Sequence, residues 1–226
     1  MPDGGHLRVV VLISGGGSNL QALMDQQTKG LPIEIVAVIS NRPDAYGLER
    51  ARRQGIPTEV LDHRRYDSRE PYEADLQGLI DRYRPGLVVL AGFMRILTPR
   101  LVGHYLGRML NIHPSLLPKF RGLHTHQRAL DAGEREHGAS VHFVTAELDG
   151  GPVIIQARLP IRSGEDAASL AARVLTQEHI IYPRAVGWFA QGRLRLGDDG
   201  LPWLDGAPLV SPVVIEASSA GERREV

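Results

Sequence analysis

After a short glycine-bearing segment the chain enters an unbroken apolar run, Val9–Ile13, and a second, Ile35–Ile39, follows it. Both are rich in β-branched residues and predict strands buried on both faces. Between and after them, helical spacing of apolar positions covers Asn19–Gln26 and Asp44–Gln54. Glu59–Leu61 reads as a short strand. Tyr72–Arg84 brings Leu76, Leu79, Ile80 and Tyr83 onto one helical face, with Ser68 and Pro71 as start signals. Leu87–Ala91 is the next strand, Thr98 and Pro99 open a further helix, and Met109–Ile112 closes the series. Such alternation predicts a parallel sheet covered by helices on both faces.

The period changes after about residue 138. Ala139–Val144 alternates, and Pro152–Pro160 returns across the turn Leu148–Gly151, which predicts an antiparallel pair. Glu165–Ala190 is one long helical pattern that Pro183 is expected to kink. Arg193–Leu196 and Trp203–Leu204 predict a closing hairpin, and Ala217–Val226 reads as a frayed tail. The expectation is one α/β domain over residues 1–226: a Rossmann-like, mostly parallel sheet ending in antiparallel strands and a hairpin.

Composition narrows the chemistry. Among 226 residues, 26 basic side chains balance 26 acidic ones, which argues against a general nucleic-acid binder. Cysteine is absent, so disulfides, thiolate metal sites and cysteine nucleophiles are excluded. No apolar run approaches the ~20 residues of a membrane span. Met1–Arg8 has no signal-peptide core, so a soluble cytoplasmic protein is expected.

Ser14-Gly15-Gly16-Gly17-Ser18-Asn19 lies directly between a strand and a helix. Glycines let backbone amides approach an anion, and a helix N-terminus adds roughly half a positive charge. Gly17, Ser18 and Asn19 are therefore candidate phosphate ligands, with Ser18 and Gln21 fitting a capping box. The spacing matches neither a Walker loop nor a dinucleotide fingerprint. A plain strand-to-helix turn is the competing reading.

Asn111-Ile112-His113-Pro114 ends an apolar strand, so Asn111 and His113 share a face at its carboxyl end, where parallel sheets bind ligands. An amide donor beside an imidazole suits a developing oxyanion and a moving proton, although a hydrogen-bonded strand terminus would look the same. His124-Thr125-His126, with His104, His137 and His142, raises a metal centre, but no carboxylate joins it in a recognisable motif. Asp149, in Leu148-Asp149-Gly150-Gly151-Pro152, is either a local turn former or a partner for His113.

Taken together these blocks resemble the folate-dependent phosphoribosylglycinamide formyltransferases. The likeness is carried by Val11–Ala22, Ala91–Leu97, Asn111–Pro118 with Gly122–His126, Gly138–Pro152, and Thr176–His179 with Tyr182-Pro183, and runs from about Arg8 to Leu204. It implies formyl transfer from 10-formyltetrahydrofolate to glycinamide ribonucleotide, without a metal. It implies a phosphate-binding half over about 1–100 and a folate-binding, catalytic half over about 101–205. By residue it implies Asn111, His113 and Asp149 as the catalytic trio. Gly17, Ser18, Asn19 and Glu178 would bind the acceptor, and Arg69, Met94, Arg95, Ile96, Leu97 and Asn111 the folate. Gly16 stands where some relatives carry Asn, and Lys119-Phe120-Arg121 falls in a loop that is mobile in the family.

Rival readings remain at this stage. A methionyl-tRNA formyltransferase resembles a longer chain with a basic domain, and a formyltetrahydrofolate hydrolase one with an added N-terminal domain, whereas only Met1–Leu7 precedes the first strand here. A non-catalytic phosphate-binding module would use the glycine loop alone. Small molecules are the expected partners, and the apolar hairpin near Trp203 is a candidate homodimer surface.

Overall fold

The computed structural model describes residues 5–217. An eight-stranded sheet forms the core, built from β1 (Leu7–Ile13), β2 (Ile33–Ser40), β3 (Thr58–Val60), β4 (Leu87–Leu90), β5 (Met109–His113), β6 (Glu136–Phe143), β7 (Val153–Pro160) and β11 (Val213–Glu216). Its order is β11-β7-β6-β5-β4-β1-β2-β3. Strands β1 to β5 pair in parallel, β6 runs antiparallel to both β5 and β7, and β11 lies parallel to β7. A small antiparallel sheet of β8 (Leu194–Leu196), β9 (Pro202–Leu204) and β10 (Ala207–Pro208) follows the last helix.

The unbroken apolar runs are explained by two cores, one on each face of the sheet. Along β1, Val9, Val11 and Ile13 pack with α1 (Ser18–Thr28), α2 (Tyr46–Arg53) and α6 (Ala167–Ala190), while Val10 and Leu12 pack with α3 (Arg69–Arg82) and α4 (Pro99–His104). Every one of these five side chains is fully buried. Tyr182 of α6 reaches through the first core to the Leu90 and Leu110 carbonyls, tying the helix to β4 and β5.

Several local features differ from what the sequence implies. The Ser18–Gln21 capping box does not form: Gly17 holds the N-cap position at φ 70° and Ser18 is already helical. Gly17 takes the left-handed conformation, and its backbone also passes Gly47, whose Cα would lie 2.6 Å from an added Cβ. Ser68 does stand at the N-cap of α3, as a start signal should, although its side chain makes no capping bond. The helix α5 (Thr125–Asp131) was not anticipated, and seven residues give too little periodicity to signal it. Strand β11 was also missed. Its Ala217 neighbour, assigned to the tail, instead donates its N–H to the Arg158 carbonyl, while residues 218–226 lie outside the described residues. Helix α6 runs continuously through Pro183. No helix among the described residues is long and apolar enough to cross a membrane.

Candidate active site

Two strand ends and two loops build the cleft. β4 and β5 are parallel neighbours, so the segment after β4 and the last residues of β5 emerge at the same sheet edge as the glycine loop after β1. On that edge Phe93, Arg95, Ile96 and Leu97 form one wall, and Val144 to Asp149, leaving β6, form the other, with Asn111 and His142 between them.

His113 is nearly inaccessible, at 6% exposure. Its Nε2 lies 2.9 Å from the Phe120 carbonyl, and its Nδ1 lies 3.5 Å from Asp149 Oδ2. A carbonyl only accepts, so Nε2 must carry a proton. A carboxylate likewise only accepts, so the ring is fully complemented when both nitrogens are protonated. Asp149 is held in place by its own backbone at φ 48° and by the Gly122 N–H, which donates to Oδ2 over 2.9 Å. An Arg121–Glu147 ion pair joins the same two loops. The turn of Asp149 therefore does fold back over the strand end, and the carboxylate addresses His113.

Asn111 stands opposite His142 in the β5–β6 register, and its Nδ2 lies 3.2 Å from His142 Nε2. His142 Nδ1 lies 2.9 Å from the Phe143 carbonyl, and burial lowers the pKa of this imidazole. Asp149 Oδ1 lies 3.9 Å from the same Nε2. His142 was read only as one histidine of a candidate metal group. Only the β5–β6 register, which no local pattern encodes, brings it opposite Asn111. The walls at Phe93 and Val144–Leu148 were likewise not assigned a role, because apolar loop residues look like core in a sequence.

The glycine loop is tied to the Gly92–Leu97 segment after β4. Ser14 Oγ accepts the Met94 N–H at 2.7 Å and donates to Asn41 Oδ1 at 2.6 Å, while the Ser14 N–H donates to the Gly92 carbonyl. Arg50 Nε donates to the Gly16 carbonyl from the side. Asn19 Nδ2 donates to Glu178 Oε2 over 2.7 Å, bringing together two residues far apart in sequence. Burial raises the Glu178 pKa and the Asn19 bond opposes that rise. Of the predicted folate-side residues, Arg95, Ile96 and Leu97 line the cleft. Met94 is 62% exposed beside it, and Arg69 is exposed on the first turn of α3, outside the lining.

The His124–His126 element does not assemble a ligand set. His126 Nδ1 and His137 Nε2 are 3.2 Å apart, a hydrogen bond between rings. Among the described residues no three His, Asp or Glu side chains converge to hold a metal ion.

Comparison with known proteins adds independent findings. The family described as formyl transferase matches residues 7–186. Over 204 residues the chain is 57% identical to the phosphoribosylglycinamide formyltransferase of Escherichia coli (strain K12), covering 90% of this chain and 96% of that one. It is 43% identical over 194 residues to the Homo sapiens trifunctional purine biosynthetic protein adenosine-3, covering 85% of this chain and 19% of that one. The solved structure of the Coxiella burnetii phosphoribosylglycinamide formyltransferase superimposes with a TM-score of 0.90 at 55% identity, covering 93% of this chain and 99% of that one.

Proposed function

The chain belongs to the formyl transferase family, and from that premise we propose that its cleft transfers the formyl group of 10-formyltetrahydrofolate to the amine of glycinamide ribonucleotide, a step of purine biosynthesis. The observation that carries the assignment of residues is the convergence of Asn111 and Asp149 on one cleft, with His113 held against Asp149, at the same sheet edge as the glycine loop after β1. The cleft suits a flat heteroaromatic ring with an acidic tail. Phe93, Ile96, Leu97 and Val144 offer apolar walls, and Arg95 a cation at the edge. Bound there, the folate supplies an already activated formyl group, so the chain needs only to bind, orient and move protons.

Gly17, Ser18 and Asn19 hold the acceptor phosphate. The first N–H groups of α1 have no acceptor within the helix, and nothing crowds a Cβ built on Gly15 or Gly16, so a phosphate has room to approach. Glu178, anchored by Asn19, faces the acceptor from α6. As the amine attacks, negative charge develops on the formyl oxygen. One Asn111 N–H is committed to His142, and the other is free to donate to that oxygen. His113, as an imidazolium backed by Asp149, adds positive charge beside it. Asp149 takes up the proton that the amine must lose and returns it, through water, to the folate nitrogen as its bond to the formyl carbon breaks.

The test is release of tetrahydrofolate from 10-formyltetrahydrofolate with and without glycinamide ribonucleotide. Ribonucleotide-dependent release that falls at least about a hundredfold in Asn111→Ala supports the reading, since one oxyanion donor typically contributes that much. Equal release without ribonucleotide would make the chain a hydrolase. Indifference of turnover to Asn111→Ala and Asp149→Ala would move the chemistry elsewhere. The partners on this reading are small molecules in the cytoplasm. A homodimer through the β8–β10 sheet is a weaker element of it, because Trp203 is half-buried and covered by the Arg195 guanidinium, 4.6 Å from its ring centre.

A further inference from the structure

We propose that His142 is a positioning residue for the formyl transfer: as a neutral hydrogen-bond acceptor it aims the Asn111 amide at the reacting oxygen. This rests on the reading of Asn111 given above. An asparagine side chain at a strand end can present either its oxygen or its nitrogen to a ligand, and only the nitrogen stabilises an oxyanion. The choice is made by what the amide meets on its other side. His142 has its Nδ1 opposite the Phe143 carbonyl, so that nitrogen carries the proton and Nε2 is left as a lone pair. Nε2 lies 3.2 Å from Asn111 Nδ2. The pair is therefore satisfied only when the amide turns its nitrogen inward, which leaves the second N–H for the cleft that both residues line.

The backbone is arranged to put the ring there. The register of β6 against β7 slips between Val141 and His142, where β7 carries one extra residue, Ile154. Gly151 lies against this point of β6, and a Cβ on it would strike the Phe143 carbonyl, the same group that fixes the His142 tautomer. With 2% exposure, His142 touches substrate less directly than Asn111 does, and its contribution acts through the amide. Asp149 Oδ1, at 3.9 Å, is beyond hydrogen-bond reach of the ring.

The experiment compares His142→Gln, which keeps an acceptor, with His142→Met, which has similar bulk and lacks a strong one, each in the parent chain and in Asn111→Ala. His142→Met should lower kcat roughly tenfold to a hundredfold, the scale of a misplaced catalytic group. KM for both substrates should stay within about twofold, and His142→Gln should recover most of kcat. In the Asn111→Ala background the same His142→Met change should cost no more than about twofold, because its target has gone. An equal loss in both backgrounds, or a loss shared by Gln and Met, overturns the proposal and makes His142 a packing residue. If Asn111→Ala is itself without effect, the assignment of Asn111 fails first and this inference falls with it. A crippled Asn111→Ala beside an unaffected His142→Met overturns the inference alone.

Discussion

Burying a carboxylate with no cation beside it penalises its charged form, and Glu178 is in this position at 7% exposure. Its hydrogen-bond donor is Asn19, whose own Oδ1 is buried without a partner among the described atoms. Such a pair offers acceptors where an incoming hydroxyl needs them, at the expense of stability. Glu178→Gln keeps the volume and an oxygen for Asn19 while removing the charge. It should raise KM for the ribonucleotide about tenfold, leave kcat within a few-fold, and leave the melting temperature unchanged or higher. Steady-state kinetics and a thermal melt on the same preparation check both halves. A lower melting temperature would make the pair a structural bond.

Glycine governs how the first helix begins. At Gly17 a side chain meets two obstacles at once, the left-handed φ of 70° and the backbone of Gly47. Gly17→Ala should therefore displace the turn that presents the helix N-terminus, raising KM for the ribonucleotide more than tenfold. KM for 10-formyltetrahydrofolate should move much less. Comparing the two KM values decides it, and equal shifts would mean that the whole edge has moved. A second element carries a different prediction. Glu73 of α3, 4% exposed, accepts the Thr98 N–H and hydroxyl, fixing the exit of the Met94–Leu97 segment at the start of α4. Glu73→Ala removes the acceptor of both donors on the half-buried Thr98, which costs about 1 kcal/mol of stability. It should raise KM for the folate rather than for the ribonucleotide. Chemical denaturation with the same kinetics tests the pairing of these effects.

These elements also show what a sequence reveals and what it hides. The strands of both sheet faces were legible because Val9–Ile13 and its counterparts are apolar throughout, which only a doubly covered sheet tolerates. Asn111 and His113 were legible because residues two apart on a strand share a face. Gly17 is legible as a loop former, but its place at the N-cap is hidden, since the close approach of Gly47 comes from 30 positions away. Strand β11 was hidden for a similar reason: Val213–Glu216 alternates weakly, and what makes it a strand is the open edge of β7. The His142–Asn111 pair required the register of β6, which no local pattern encodes.

At the scale of the whole molecule, the site sits where β1 and β4 are neighbours but the chain leaves them in opposite directions, the crevice that open parallel sheets offer to ligands. Behind the crevice the protein has buried several imidazoles. His137 is 1% exposed, its ring bonded to His126, and burial pulls its pKa down to about 4 from 6.5. His126, His142 and His179 are shifted in the same direction, each chiefly by burial. A histidine whose folded pKa is depressed binds fewer protons in the native state than in the unfolded one between the two values, so stability rises with pH across that window. Acidification from pH 6.5 towards 4 should therefore lower the melting temperature steadily. His137→Gln, which holds a polar side chain in the same place without titrating, should flatten part of that slope. Melting curves of both proteins at half-unit pH steps give the measurement. Parallel slopes would mean that His137 titrates alike in the folded and unfolded chain, and that the buried turn behind His113 is open to protons.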